Sequence, residues 1–551
     1  NYARAFGDHN INVTGVAELS GSRYDELQGF RKYAGYYSND ILNQADASTA
    51  TNSGYRNETR LAAYLMRANY DYAGKYLLEV VARYDGSYRY APGHRWAFFP
   101  SVSAGWRISE EKFMKEKLPF ITNLKLRGSY GKSGYDAGNP FQYIAGYTQA
   151  SKSNNPFGYV FEGSNQTIGM MAPGVVLDNL SWVVSKTANI GLDAELWNGK
   201  LYGTVEFFRR KNEGLLASRI QDIPNTFGAS FPQENINSNE NMGFELEIGT
   251  RGKIGKDFGY TVSANYTFVR EKNLEVEHTP YRSSMDRWLY GKDHRTIGGF
   301  WDHSGGGMWI QKYDGQFSSL KELETAPLYG GGNGNSMMLP GAFRIIDQNG
   351  DGVIDMYDMK PESRRAGANP PYQFGLNIGL TYKGFDLNLL LQGAAGYVIG
   401  YANDDVFGYG SKTNPTLMKK YMDRWHTANV TDDPYNPSTQ WISGKYPALR
   451  RDFTGTLDNG NSWGNGAISF WNPNATYLRL KSLEIGYTLP KSLTKKVGIS
   501  DCRFFLNGFN LLTWCNSLLK DADPEREERD WGASLAYPLM KSYNIGLNIN
   551  F

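Results

Sequence analysis

The sequence predicts an all-β fold, and within that class a transmembrane antiparallel β-barrel of about 14 strands. Three observations carry the prediction. Apolar and polar residues alternate with period 2 in one segment after another. The connections between those segments alternate between short and long. No apolar run of about 20 residues is present to make a membrane-spanning helix, whereas a barrel strand needs apolar residues on one face alone. The composition of the 551 residues agrees, because 62 Gly, 38 Tyr and 14% aromatics suit strands and tight turns better than helices.

Strands are predicted over 10–19, 60–72, 76–88, 96–108, 121–133, 186–198, 200–214, 241–251, 258–271, 372–384, 385–398, 476–489, 501–512 and 541–551. In the last of these, Tyr543, Ile545, Leu547, Ile549 and Phe551 form an apolar stripe against Ser542, Asn544, Gly546, Asn548 and Asn550. Tyr372, Phe374, Leu376, Ile378, Leu380 and Tyr382 repeat the pattern, as do Tyr76, Leu78, Val80, Ala82 and Tyr84. Within 476–489 the phase slips at Lys481-Ser482, which one extra residue in a β-bulge explains. Such lengths suit tilted membrane strands of about 9–11 residues with overhang.

The short connections are Ala73-Gly74-Lys75, Ser109–Phe120, Asn198-Gly199-Lys200, Arg251–Asp257, Lys383-Gly384 and Pro490–Ser500. The long ones are Ser20–Thr59, Gly134–Ser185, Leu215–Glu240, Glu271–Pro371, Ile399–Ala475 and Leu512–Met540, with the brief Arg89–Arg95 the exception on that side. Outer-membrane barrels segregate turns in this way, short in the periplasm and long outside. The last strand then runs downward and leaves Phe551 at the periplasmic rim. Tyr70, Tyr72 and Tyr76 are expected in an interfacial girdle. Two helical pieces are expected in the connections. Asn414-Pro415 is a start signal for a helix with Leu417, Met418, Tyr421, Met422 and Trp425 on one face. Ser109 is expected to cap a short turn beginning at Glu110-Glu111.

Several function classes fall away. Lys+Arg number 58 and Asp+Glu 56, so the basic excess of a nucleic-acid binder is missing. Cys502 and Cys515 give neither a disulfide framework nor a thiolate zinc site. None of His9, His94, His278, His294, His303 and His426 are spaced i, i+4 as in a metalloprotease. Gly305-Gly306-Gly307 and Gly330-Gly331-Gly332 read as loop hinges rather than phosphate loops. No catalytic residue is assigned.

Four blocks in fixed order resemble the SusC/RagA family of TonB-dependent outer-membrane transporters. They are Phe99–Arg107 followed by Leu124–Gly131; Tyr382–Asn388 running into Leu391-Gln392-Gly393; Tyr477–Lys481 with Gly486–Pro490; and Gly508–Leu511 with Tyr537-Pro538 to Phe551. The resemblance implies a 22-stranded barrel around a plug. Residues 1–551 would be the C-terminal portion of that one barrel domain, with the plug, the TonB box and the first barrel strands upstream. It also implies import driven through TonB, a SusD-like lipoprotein lid over the mouth, and a large substrate, an oligosaccharide first and a peptide as the alternative. A passive porin and a soluble glycan-binding β protein are the competing classes. Outer-membrane lipid is the partner of the apolar faces.

One segment has metal-ligand spacing. Asp347, Asn349, Asp351, Val353, Asp355 and Asp358 occupy positions 1, 3, 5, 7, 9 and 12 of an EF-hand-type loop, with Gly352 at 6. Calcium is a hard cation that needs six to eight oxygens, which carboxylates, an amide and the Val353 carbonyl nearly supply. Position 12 is Asp rather than Glu, with shorter reach, and a metal-free Gly/Asp turn is the alternative. For substrate, Trp301, Trp309, Trp425, Trp441, Trp463 and Trp471 fall in long connections, where an indole face could stack on a sugar ring or could simply pack the loops. Glu271–Pro371, Ile399–Ala475 and Gly134–Ser185 are the segments expected to meet the lid.

Overall fold

The computed structural model describes residues 1–551 apart from 34–40, 150–158, 162–164, 168–169, 172–173, 220–225, 227–230, 276, 278–308, 330–333, 356–357, 362–364, 367–369, 400–418, 449–467, 521–522 and 526–538. Fifteen strands form one antiparallel sheet, each paired with the next along the chain. They are β1 Tyr2–Phe6, β2 His9–Phe30, β3 Thr51–Tyr72, β4 Tyr76–Ser87, β5 Trp96–Arg107, β6 Ile121–Tyr135, β7 Val183–Leu196, β8 Leu201–Ser218, β9 Gln233–Ile254, β10 Phe258–Glu275, β11 Tyr372–Tyr382, β12 Phe385–Ala395, β13 Tyr477–Thr488, β14 Asp501–Trp514 and β15 Ser542–Asn550. β1 and β15 are the sheet's two edges and are not paired with each other.

The period-2 faces become two physical faces of this sheet. Cross-strand partners such as Phe374 and Tyr266, Leu246 and Val205, and Leu192 and Leu126 carry one apolar row across adjacent strands. Leu246, Leu192 and Leu126 in this row are exposed and Phe374, Tyr266 and Val205 half-buried, and on β15 Ile545 reaches 88% exposure. A large, continuous exposed apolar surface on a sheet is what lipid covers. Rings bound this band at both ends. On the turn side Tyr72 stacks near Tyr76 and Tyr76 near Trp106, with centroids 6.3 and 6.4 Å apart. On the loop side Tyr84 lies 4.9 Å from Trp96 and Phe268 lies 5.1 Å from Tyr372.

Turn chemistry sets the short connections. Lys383 and Gly384 both take positive φ, 45° and 89°, the twist that a two-residue hairpin between right-twisted strands requires. The expected bulge is present: between β13 and its neighbours the register jumps from Leu480 to Ser482, leaving Lys481 unpaired. β14 answers with its own irregularity at Asn510, whose φ is 54°.

Four expectations need correction. The sheet has a strand, β1, that the pattern did not predict; it is five residues long and its apolar alternation is interrupted by Arg4. Ser20–Thr59 is not one loop, because β2 and β3 run in unbroken register from His9 and Tyr72 to Phe30 and Thr51. That outer hairpin is exposed on both faces, so it carries no apolar alternation to reveal it. Ser109 does not cap a helix: α1, Lys112–Lys117, begins after Glu111, and Ser109 is buried. The Glu111 carboxylate instead accepts from the Tyr76 hydroxyl at 2.7 Å, Lys75 Nζ at 3.1 Å and Trp106 Nε1 at 3.2 Å. Of the helix expected after Asn414-Pro415, the described part is a 3-10 turn over Lys419–Met422 with Met422 exposed, and Leu417 and Met418 lie outside the described residues.

Candidate functional site: the inner wall and the loop core

Residues opposite the lipid-facing rows are polar and make the inner wall. Arg127 on β6 reaches Asp193 at 3.2 Å and Glu206 at 2.6 Å on the next two strands, and Thr204 donates to Asp193 at 3.1 Å. On β14, Arg503 donates to Asp386 at 3.0 Å and to Glu484 at 2.6 Å. Each arginine fork joins carboxylates from two other strands, a geometry that lysine cannot match. Further along the wall, Glu206, Glu245, Glu247, Gln373, Tyr477 and Glu525 line a cavity of about 670 Å³. The wall can therefore hydrogen-bond polar cargo, while the opposite face is largely apolar between its two ends.

On the loop side, segments far apart in sequence build a second core. Phe317, Tyr329, Phe343, Tyr397, Tyr446 and Trp471 are all buried in one cluster with Ile354, Ile468 and Leu519. Short ribbons assemble it. Tyr313–Gln316 pairs with Phe343–Ile345, and Leu328–Tyr329 pairs in parallel with Val353–Ile354. A short helix, α2 (Leu320–Glu324), is capped by Ser319, which accepts from Glu322 N. At the base, Arg479 of β13 is 2% exposed and is held by Thr513 at 3.0 Å, Asp523 at 2.8 Å and Glu525 at 2.9 Å. Tyr477 donates to Glu525 at 2.6 Å and Tyr397 to the Pro524 carbonyl at 2.6 Å. Burial raises the Tyr397 phenol well above its ordinary value. This core thus rests on the ends of β12 and β13.

The acidic loop lies inside this core's scaffold. Asp347 accepts from Gly350 N at 2.7 Å and Gly352 N at 2.9 Å, and both glycines take positive φ, 74° and 80°. Asp351 accepts from Val353 N at 2.8 Å. Asp358 is fully buried and accepts from Gln348 N at 2.7 Å and Asp355 N at 2.8 Å, which brings the loop's two ends together. The Gly352 amide, with those of Gly350 and Asp351, holds Asp347 below the usual carboxylate range. Burial, with Asp347 and Asp355 nearby, pushes Asp358 up. Gln311, also fully buried, donates Nε2 to the Asp355 carbonyl at 2.9 Å, and its Oε1 has no partner. Among the described residues, no three His, Cys, Asp or Glu side chains converge closely enough to form a ready-made metal cage.

The tryptophans separate. Trp471 is 0% exposed and packs against Phe343 and Phe470, so it offers no face to a ligand. Trp425 is half-buried and donates to Gln316 Oε1 at 3.2 Å, and Trp441, also half-buried, sits in a ribbon with His426–Thr427. Trp309 pairs its backbone with Pro361. Trp301 and Trp463 lie outside the described residues. Sequence reasoning missed the inner-wall arginine forks. Their signal was available as charged residues at the polar phase of predicted strands, but their partners follow from register alone.

Comparison with known proteins agrees with this architecture. The family described as TonB dependent receptor-like, beta-barrel, matches residues 1–511. The chain is 28% identical over 581 aligned residues to TonB-dependent receptor P3 of Formosa agariphila, covering 100% of this chain and 51% of that protein. It is 27% identical over 559 residues to TonB-dependent receptor SusC of Bacteroides thetaiotaomicron, covering 100% of this chain and 49% of that one. The chain thus spans about half the length of the curated relatives it matches. A solved structure of the RagAB peptide transporter superposes with a TM-score of 0.70 at 20% identity, covering 100% of this chain and 54% of that one, which is a likeness of fold. This family comprises outer-membrane transporters and receptors, not enzymes. With an antiparallel sheet that is apolar outside, polar inside and roofed by loops, and with the family match running over most of its length, the chain belongs to the TonB-dependent receptor β-barrel family.

Proposed function

We propose that the chain forms wall and loops of a TonB-dependent importer that carries a large polar nutrient across the outer membrane. The observation that supports this reading most is the division of labour between the two ends of one sheet. Every connection on one side is a turn or short segment, while three connections on the other side fold into a shared core. We place the turns in the periplasm and the loop core outside, with Phe551 at the periplasmic rim, as barrel assembly favours. An unpaired strand edge is costly in hydrocarbon. The edges β1 and β15 are therefore taken to be bridged by further strands around a plug, and relatives about twice as long agree with that.

In this reading a SusD-like surface lipoprotein covers the mouth, docking on the ordered loops. The substrate is an oligosaccharide, with hydroxyls meeting the acid and amide groups of the inner wall and rings meeting Trp425 and Trp441. Peptide is the second reading, favoured by the fold likeness to the RagAB peptide transporter. Uptake of labelled oligosaccharides and of labelled peptides, each by cells with and without this protein and with and without TonB, separates these readings. Uptake that survives loss of TonB would leave a passive porin instead.

The acidic loop is assigned as a structural calcium site. Asp347, Asn349, Asp351, the Val353 carbonyl, Asp355 and Asp358 would supply its oxygens. The fit rests on a carboxylate, Asp358, raised first by its burial and then by Asp347 and Asp355 nearby, and on Gln311 Oε1, orphaned among the described residues, beside the Asp355 carbonyl. A cation among these groups would relieve their mutual repulsion and brace the loop against Leu328–Tyr329.

A further inference from the structure

The lipid-facing rows of β7 to β10 change character abruptly on the loop side. From the turns upward, the outward positions are uncharged, running Leu196, Ala194, Leu192, Ile190 and Ala188 on β7. The neighbouring strands show the same uncharged run at the facing positions. Then come two rows of cations. In the first, Arg209 and Arg270 both face Met242. In the second, direct cross-strand partners run Lys132, Lys186, Lys211, Glu240 and Lys272. The aromatic residues Phe207, Phe244 and Phe268 stand immediately below.

The height is informative. Leu196 to Lys186 is about ten residues, a climb of about 24 Å for a strand rising 3.4 Å per residue at 45° tilt. The apolar band of an outer-membrane barrel is about 25 Å tall. On this count Lys186 and, ten residues from Leu201, Lys211 stand where hydrocarbon ends and headgroups begin, with Lys272 higher, fourteen residues from Phe258. The patch ends on its β5 side, since the outward residues of β4 and β5 carry no charge.

Like charges directly opposite one another weaken a sheet, and Lys132, Lys186 and Lys211 are three in succession. Glu213 pairs with both Lys186 and Lys211, at 2.9 Å to the latter, and Arg209 covers Glu240 at 2.6 Å. With Glu275, which reaches Ser238 at 3.2 Å, three carboxylates face Lys132, Lys186, Lys211, Lys272 and Arg209 among the described residues. The excess positive charge sits on the lipid-facing side, where neither the inner wall nor cargo can reach it.

We propose that this patch binds the phosphate groups of a phosphorylated glycolipid in the outer leaflet, a lipid A-type headgroup, and so anchors the transporter in that leaflet. Amines and guanidinium forks meet phosphate through charge-assisted hydrogen bonds, and the rings below meet the acyl chains. The leaflet rests on the orientation proposed above; the lipid chemistry does not.

The test uses the full-length protein purified in detergent, with retention of diphosphoryl lipid A read by native mass spectrometry. The triple variant Lys186→Gln, Lys211→Gln, Lys272→Gln should retain about a hundredfold less, at about fivefold per interfacial cation. The triple Lys→Arg variant should retain it as the native protein does. Equal retention by the Gln variant, equal retention of dephosphorylated lipid, or displacement by inorganic phosphate overturns the proposal. Orientation is read separately, by labelling Val430→Cys and Asn198→Cys on intact cells with an impermeant maleimide. Labelling of the second in place of the first overturns the leaflet and leaves the lipid result standing.

Discussion

Glu111 shows how much one carboxylate can organise, since it gathers a phenol from β4, an indole from β5 and an amine from the turn before β4. Those contacts, led by the Tyr76 hydroxyl, hold its pKa below the ordinary glutamate value. A depressed pKa stabilises the fold above the unfolded value, and that contribution is lost as pH falls through the folded one. Glu111→Gln should therefore lower the melting temperature at neutral pH, and the difference from native protein should vanish in acid below the usual glutamate range. A difference that persists there would assign the effect to packing. In the acidic loop, Asp347→Ala and Asp351→Ala should each remove a Ca²⁺ peak with oxygen contacts at about 2.3–2.6 Å. A well-ordered loop around an empty centre in an experimental map would defeat the calcium assignment. The loop's spacing was legible because all its groups lie within twelve consecutive positions. The Glu111 cluster and the arginine forks were not, because their partners come from other strands and depend on register.

At the scale of elements, the sheet gives each strand two unlike faces. Arg in place of Leu376 or Leu547 should cost about 2–4 kcal/mol if the site lies near the bilayer midplane. Arg in place of Asn377 or Asn548, on the inner wall, should be nearly silent in the same refolding assay. If both pairs respond alike, the register is wrong. Deleting Lys481 would remove the bulge yet leave Leu480 opposite Leu391 and Ser482 opposite Leu390, so Leu478 and Leu480 keep their face. That variant should still reach the heat-modifiable folded form on electrophoresis, whereas inserting one residue between Glu484 and Ile485, which turns the outer part of β13 over, should not. Strands were legible wherever one face meets lipid, since the solvent itself writes period 2. Where β2 and β3 run beyond the apolar band both faces are exposed, and the alternation that marks a strand fades although the pairing continues.

At the scale of the molecule, the parity of turns and loops was legible from connection lengths alone. The loop core was not, because its members lie as far apart as Phe317 and Leu519 and carry no common period. Trp471→Ala should cost that core about 3–5 kcal/mol, read as faster proteolysis of the loops with the barrel band intact. Replacing Asn429–Ser438, a tip whose Val430 is 99% exposed, with a short Gly linker should reduce co-purification of the proposed surface lipoprotein while barrel assembly survives. Undiminished co-purification would move the contact elsewhere on the loops.

The same core has a consequence in time. Arg479 waits for Asp523 and Glu525, Tyr397 for Pro524, and the aromatic cluster for Leu519, near the end of the chain. No early part of the chain can finish the roof by itself. The sheet can zip hairpin by hairpin, neighbour to neighbour, but the roof closes only after the penultimate strand has delivered its outer connection. A chain stalled before that point would have a nearly complete wall beside loops still open to protease, so, with the loops outside as proposed, the maturity of each molecule should be readable from outside the cell as the delayed loss of loop cleavage.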